Sequence, residues 1–216
     1  MVDLKILRSR EEWLEERKNC IGGSDASAIV GMNPYKTNVD LWLEKTGQVI
    51  LSDISDKNYV KYGTEAEEHL RALFALDYPN YKVHYVENNM IKNTKYPFLH
   101  ASLDGWLEDE NGKKGILEIK TTNILQSMQK EKWNNRIPDN YYIQVLHYLL
   151  VTELDFAILK AQLKTEFNGT IYLQTKHYYI DRTEVQDDID YLLKAEEKFW
   201  KQVESNTRPD LVLPNI

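Results

Sequence analysis

Cysteine is nearly absent from this chain. Its 216 residues contain one, Cys20, which excludes a disulfide framework and any thiolate zinc or iron–sulfur site that draws several cysteines from one chain. Long apolar runs are missing as well. No stretch approaches the ~20 apolar residues needed to cross a bilayer. The first ten residues already carry Lys5, Arg8 and Arg10, so neither a membrane span nor a secretory leader is expected. Positive charge is not in excess: 27 Lys and Arg stand against 34 Asp and Glu, a net charge of −7. That balance excludes recognition of nucleic acid through a wholly basic surface. It leaves room for a local basic groove beside acids that hold metal. No repeat or low-complexity segment marks a second domain. The expectation is one domain over residues 1–216 in a reducing cytoplasm, the host's if the chain is phage-encoded. The composition, 42% hydrophobic and 28% charged, is that of a globular protein.

What is present concentrates between His100 and Thr121. His-Ala-Ser-Leu-Asp-Gly-Trp-Leu, an Asp-Glu-Asn-Gly turn signal and Gly-Ile-Leu-Glu-Ile-Lys-Thr-Thr predict two strands joined at Glu108 to Lys113. A hairpin symmetric about Asn111 sets Asp104 across from Glu118, with Cβ atoms about 4.5–5.5 Å apart. Lys120 shares their face, while Leu117 and Ile119 point the other way into a core. Two facing carboxylates repel, and a divalent cation would offset the cost. Oxygen donors of this kind suit Mg²⁺ or Mn²⁺. The neighbouring lysine can hold a metal-bound water or offset charge developing on a phosphorane. The plainer alternative is a solvated strand face on which Lys120 neutralises one acid.

The flanking segments supply further candidates. Ser9 and Glu12 have capping-box spacing and predict a helix carrying Trp13, Leu14 and Arg17 up to Asn19. Ile21-Gly22-Gly23-Ser24-Asp25 then describes a turn opening a short helix with Ser24 as its N-cap. Such a start can receive an anion, and Arg17 can add a charge-assisted contact; a plain capped helix is the alternative. Thr37 and Asp40 predict the next cap and Gly47 its stop. Lys36 is the nearest later basic residue to the anion site, or else merely solvated. A longer helix is expected over 58–76, with Ala66, Leu70, Leu73 and Phe74 on its buried face, Glu65 at the margin of that face, and Glu67 and Glu68 toward solvent. Residues 81–92 predict a strand or two. His84 and His100 read as structural, since neither has a spaced zinc-site partner.

Beyond the hairpin a helix is expected from Asn123 to about Trp133. Pro138 then starts another that is apolar nearly all round and therefore buried. Its Gln144 either reaches the site or is a satisfied core amide. An antiparallel pair over 154–164 and 170–180, a helix from Thr183 with Gln186 as capping partner, and an extended Arg-Pro-Asp-Leu-Val-Leu-Pro tail complete a scaffold-like last third.

Four signals in order, Arg17 with Ile21-Gly22-Gly23-Ser24-Asp25, Tyr62-Gly63-Thr64-Glu65, Asp104 with Glu118-Ile119-Lys120, and Tyr142-Ile143-Gln144, resemble the YqaJ-type viral recombinase family. That family is similar to phage lambda exonuclease within the PD-(D/E)XK nuclease superfamily, and the likeness spans roughly residues 10–153. The resemblance implies an α/β fold, a restriction-endonuclease-like core whose mixed central β-sheet is flanked by helices. It implies a Mg²⁺-dependent, processive 5′-to-3′ exonuclease on linear duplex DNA that leaves 3′ single-stranded tails for recombination by annealing. Mn²⁺ would substitute for Mg²⁺, and two ions would be held when substrate is bound.

By matching position, Asp104, Glu118, the Ile119 carbonyl and Glu65 would be metal ligands, Lys120 would act on the attacking water, and Gln144 would assist. Arg17 and Ser24, with Lys36, would hold the 5′-phosphate. Partners implied by the resemblance are DNA ends, a single-strand annealing protein and further copies in a ring trimer, with no membrane. Leu103 stands where the superfamily's nominal proline would be, a common relaxation. A same-fold endonuclease without an end requirement and a non-catalytic DNA-end-binding scaffold are the competing readings. A Cas4-like nuclease is disfavoured by the single cysteine.

Overall fold

A chain crossing between two sheets sets the architecture of the computed structural model, which describes residues 2–49, 54 and 56–213. Strand β1 (Val2–Ile6) pairs antiparallel with β3 (Asn89–Asn93), which pairs with β4 (Tyr96–Ala101). After Ala101 the chain leaves this sheet and enters a five-stranded one. Its order is β2 (Lys82–His84), β5 (Gly105–Glu108), β6 (Lys114–Asn123), β7 (Phe156–Phe167) and β8 (Thr170–Asp181). All its pairs are antiparallel except β6 with β7, which is parallel. A parallel pair requires a crossover, and helix α6 (Asp139–Thr152) provides it after the short α5 (Ser127–Glu131).

Alternation along β6 sends its side chains to two cores. Leu117 and Ile119 join Phe156, Ile158 and, from α4 (Asn58–Asp77), Leu70 and Phe74. Ile116 faces the other way, with Ala157, Leu159, Ala161 and the buried stretch 143–152 of α6. Each fully buried Leu, Ile or Phe contributes about 1.5–3 kcal/mol. This apolar sandwich therefore fixes which face of β6 carries Glu118 and Lys120. Helices α1 (Arg10–Lys18), α2 (Gly23–Ile29) and α3 (Asn38–Lys45) precede α4, and α7 (Gln186–Glu204) closes the α6 side.

Several expectations hold at the level of single groups. Ser9 Oγ accepts the Glu12 N–H, Thr37 and Asp40 cap each other reciprocally, and Gly47 ends α3 at φ +71°. Asn168 and Gly169 turn β7 into β8 with positive φ.

Others are corrected. His100 and Ala101 end β4 in the other sheet, so the functional hairpin begins only at β5. The helix expected from Asn123 shrinks to Ser127–Glu131, because β6 stays paired with the long β7 as far as Asn123 opposite Lys164. Ser24 is not an N-cap: Gly22 is, and the Asp25 carboxylate accepts the Gly22 N–H. Leu73 is 48% exposed rather than buried. Asp181, not Thr183 with Gln186, caps the C-terminal segment through a 3-10 turn at Arg182–Val185. β1 was not expected, although Val-Asp-Leu-Lys-Ile alternates; every one of its residues is exposed. The tail forms neither helix nor strand over its described part, where the Asn38 amide clasps Asp210 O and Val212 N–H. Pro214 lies outside the described residues.

Candidate active site

The β5–β6 register runs from Glu108 opposite Lys114 to Gly105 opposite Leu117, and one further step sets Asp104 opposite Glu118. Asp104 lies just outside the ladder, and its Oδ2 accepts the Ile119 N–H at 2.8 Å. The residue before it is clamped. Asn89 accepts the Leu103 N–H at 2.8 Å and donates to the Leu103 carbonyl at 2.9 Å, taking the place of a neighbouring strand at the crossing between sheets.

Glu118 is buried, and its Oε1 accepts from Lys120 Nζ at 2.6 Å and from Gln144 Nε2 at 2.9 Å. Its Oε2 is buried with no hydrogen-bond donor among the described residues, on a carboxylate that interacts with that of Asp104. Gln144 Nε2 also donates to the Tyr148 hydroxyl at 2.9 Å. Tyr148 was not singled out from the sequence, although its i+4 spacing from Gln144 was a usable signal.

Burial raises both carboxylates above their ordinary values. Glu118 raises Asp104 further, and Lys120 opposes the rise at both. Burial alone would lower Lys120, but Glu118 and Asp104 outweigh it and hold the ammonium charged. From α4 a third acid joins them: Glu67 is pushed up to about 7 by burial and by Asp104, with Arg71 pulling the other way. Glu67 is thus half-buried at the cleft rather than turned to solvent as its helical position suggests. Glu65 is exposed on the wall of the same cleft, a space of about 1070 Å³ also lined by Arg10, Trp13, Arg71 and Asp104.

Among the described residues no group of three or more His, Cys, Asp and Glu side chains is gathered tightly enough to hold a metal ion by itself. The fit to a cation rests on the facing Asp104 and Glu118 and the orphaned Glu118 Oε2. Mg²⁺ commonly takes only one or two protein carboxylates and completes its shell with water and phosphate.

A second cluster sits on α1, α2 and α3. Arg17 Nη2 donates to Ser24 Oγ at 2.6 Å and lies 3.8 Å from Asp25. Lys45, missed by sequence reasoning, reaches Asp25 at 2.9 Å and the Arg17 carbonyl at 3.1 Å. Burial alone would raise Asp25, but Lys45 and Arg17 hold it well below the usual carboxylate range. Lys36 is within electrostatic reach of Asp25, yet its ammonium is bonded to Glu44. The two clusters touch through Gly23: a Cβ there would lie 2.4 Å from the Tyr148 ring and 3.0 Å from Gln144 Cγ. His100 is structural, buried against Cys20 at 3.2 Å and held neutral by burial at about 3.

The fold is an α/β architecture shared with phage-type exonucleases. The alkaline exonuclease of Laribacter hongkongensis superposes with a TM-score of 0.64 at 15% identity, covering 91% of this chain and 94% of that one. A phage related exonuclease from Haemophilus somnus 129PT gives 0.55 at 16%, covering 87% and 96%. The chain belongs to the YqaJ-like viral recombinase domain family, whose model matches residues 12–155. It is 36% identical over 192 residues to the uncharacterized protein YqaJ of Bacillus subtilis strain 168, a match over 89% of this chain and 56% of that protein. The chain thus spans little more than half the length of that relative. The fold and the family expected from the motifs are both borne out. No helix among the described residues is long and apolar enough to cross a membrane.

Proposed function

We propose that this chain is a Mg²⁺-dependent deoxyribonuclease that digests linear duplex DNA from its 5′ ends and leaves 3′ single-stranded tails for recombination by annealing. One observation carries the reading. A buried carboxylate with an orphaned oxygen, Glu118, stands beside a charged lysine and opposite Asp104, which lines the cleft. Membership of a viral recombinase family and a fold shared with proteins named as exonucleases support it.

Asp104, Glu118 and the Ile119 carbonyl would hold the metal, with Mn²⁺ as substitute. Glu67 fits the accessory acid of a second ion better than Glu65, because Arg71 ties it to Asp104 and it feels that carboxylate's charge. When bound, the metal pair would lower the pKa of the attacking water and offset charge on the leaving 3′-oxygen. The chain's own groups then position. Gln144, itself held by Tyr148, fixes the Glu118 carboxylate, and Lys120 presents a proton donor at the same edge. Arg17 and Ser24, with Lys36 and Lys45 nearby, would take a terminal 5′-phosphate. A ring of three copies and an annealing protein as partner belong to the same proposal, and light scattering in solution tests the ring.

The deciding experiment digests linear DNA bearing 5′-phosphate or 5′-hydroxyl ends, and circular DNA, with Mg²⁺ or EDTA. Degradation confined to linear DNA, faster with 5′-phosphate and abolished by EDTA, is expected. Equal cutting of circles removes the end-binding role of Arg17 and Ser24 in favour of an endonuclease. A folded protein that binds DNA ends but cuts nothing is a scaffold.

A further inference from the structure

Arg71 joins three separate segments at the cleft. It lies one turn beyond Glu67 on α4, and its Nη1 donates to Glu67 Oε1 at 3.1 Å. The same nitrogen donates to the Asp104 carbonyl at 2.6 Å. Its guanidinium carbon sits 3.5 Å from the ring centroid of Tyr85, just past the end of β2. Only 12% of the side chain is exposed.

Each contact has a physical reason. The β5 ladder ends at Gly105, so the Asp104 carbonyl has no strand partner on either side, and a half-buried carbonyl needs one. Glu67 is a half-buried acid beside another acid and needs a cation. The aromatic face beneath fixes the plane of the guanidinium, so both acceptors are met from a single orientation.

We propose that Arg71 is a positioning residue for the metal-binding acids: stacked on Tyr85, it holds the Glu67 carboxylate and the Asp104 main chain in the one relative placement from which both serve the same metal site. The inference rests on the nuclease reading and adds to it a residue that acts through the placement of the acids it binds. Its charge and its geometry predict opposite effects. Simple loss of a cation beside the acids would tighten divalent metal binding, whereas loss of a positioning clamp would weaken it.

The test is calorimetric titration of Mn²⁺ and Mg²⁺, without DNA, into wild type, Arg71→Ala, Arg71→Lys, Tyr85→Leu and Tyr85→Phe, with thermal melts to establish folding. Arg71→Ala is expected to weaken metal binding about 10- to 100-fold, the usual range for groups that orient ligands. Arg71→Lys keeps the charge without the planar group that stacks on Tyr85 and should weaken it as much. Tyr85→Leu should follow in the same direction, and Tyr85→Phe, which keeps the ring, should restore the wild-type value. In cleavage assays the same variants should raise the half-saturating Mg²⁺ concentration while leaving the KM for DNA in place. Unchanged or tighter metal binding in folded Arg71→Ala, or full rescue by lysine, overturns the positioning role while leaving the nuclease reading intact. A wild type that binds no divalent metal and cuts nothing overturns both.

Discussion

Glu65 and Glu67 are two residues apart on α4, about 200° around the helix, and that rotation separates their surroundings: Glu67 is bonded to Arg71 and Glu65 is exposed. Glu67 shares the electrostatics of Asp104 and Glu118, whereas Glu65 is exposed on the cleft wall. Glu67→Gln should therefore lower Mg²⁺-dependent cleavage by at least about 10-fold, and Glu65→Gln by clearly less. Rates on linear DNA at fixed Mg²⁺ compare them, and the reverse order would return the role to Glu65. Lys120 is held charged against Glu118, so Lys120→Ala should cost about 10²- to 10⁴-fold in turnover, the range for a positioned proton-transfer group. A single-turnover rate at saturating Mg²⁺ within a few fold of wild type would remove the lysine from the chemistry. The pairing of Asp104 with Glu118 was legible in the sequence, because strand alternation and a turn signal fix hairpin register. The choice between Glu65 and Glu67 was not, since the apolar pattern of α4 defines its buried face too broadly to separate them.

At the scale of elements, the contact between α2 and α6 brings the Arg17 and Ser24 cluster to the carboxylates. It depends on the missing side chain of Gly23. Gly23→Ala forces its Cβ into the Tyr148 ring and Gln144, and overpacking of this kind costs about 1–3 kcal/mol. Because Gln144 is bonded to Glu118, activity per folded molecule should fall too. Gly115→Ala is the matched control: its Cβ would meet the Phe156 ring at 2.3 Å, so it should lose comparable stability yet keep activity per folded molecule. Urea denaturation and cleavage rates on the two variants separate the effects. If both lose stability alone, the Gly23 contact is packing and nothing more. α5 shows where local pattern fails. Residues 123–133 carry a helical signal, but the long β7 offers hydrogen-bond partners to the backbone as far as Asn123, and strand pairing prevails.

Across the whole molecule, a buried pair ties α6 to α7 and to the other sheet. His147 Nδ1 lies 2.7 Å from Glu196 Oε1, and its Nε2–H donates to the His100 carbonyl at 2.9 Å. Burial alone would lower the His147 pKa, but Glu196 and the His100 carbonyl outweigh it and raise it. A histidine whose folded pKa lies above its unfolded value near 6.5 contributes stability that is fully present below that pH. The contribution is lost as pH rises through the folded pKa. Wild type should thus lose stability as pH rises above about 6.5, and His147→Gln should lack that part of the slope. Urea midpoints across the range measure it, and parallel slopes for the two proteins would show that the pair is not charged in the fold.

The sequence by itself determined the hairpin that faces Asp104 with Glu118, the caps of α1 and α3, the buried character of α6 and the family of the chain. These follow from interactions within a few residues, or from motifs read in order. Only the tertiary structure decided that Gln144 is bonded to Glu118, that Lys45 supports Asp25, and that Arg71 links Glu67 to Asp104 while Glu65 stays exposed. Those contacts join elements far apart in the chain. Their partners are fixed by which faces of the sheet and helices pack together, and a local pattern shows that a face is apolar without showing what lies against its edge.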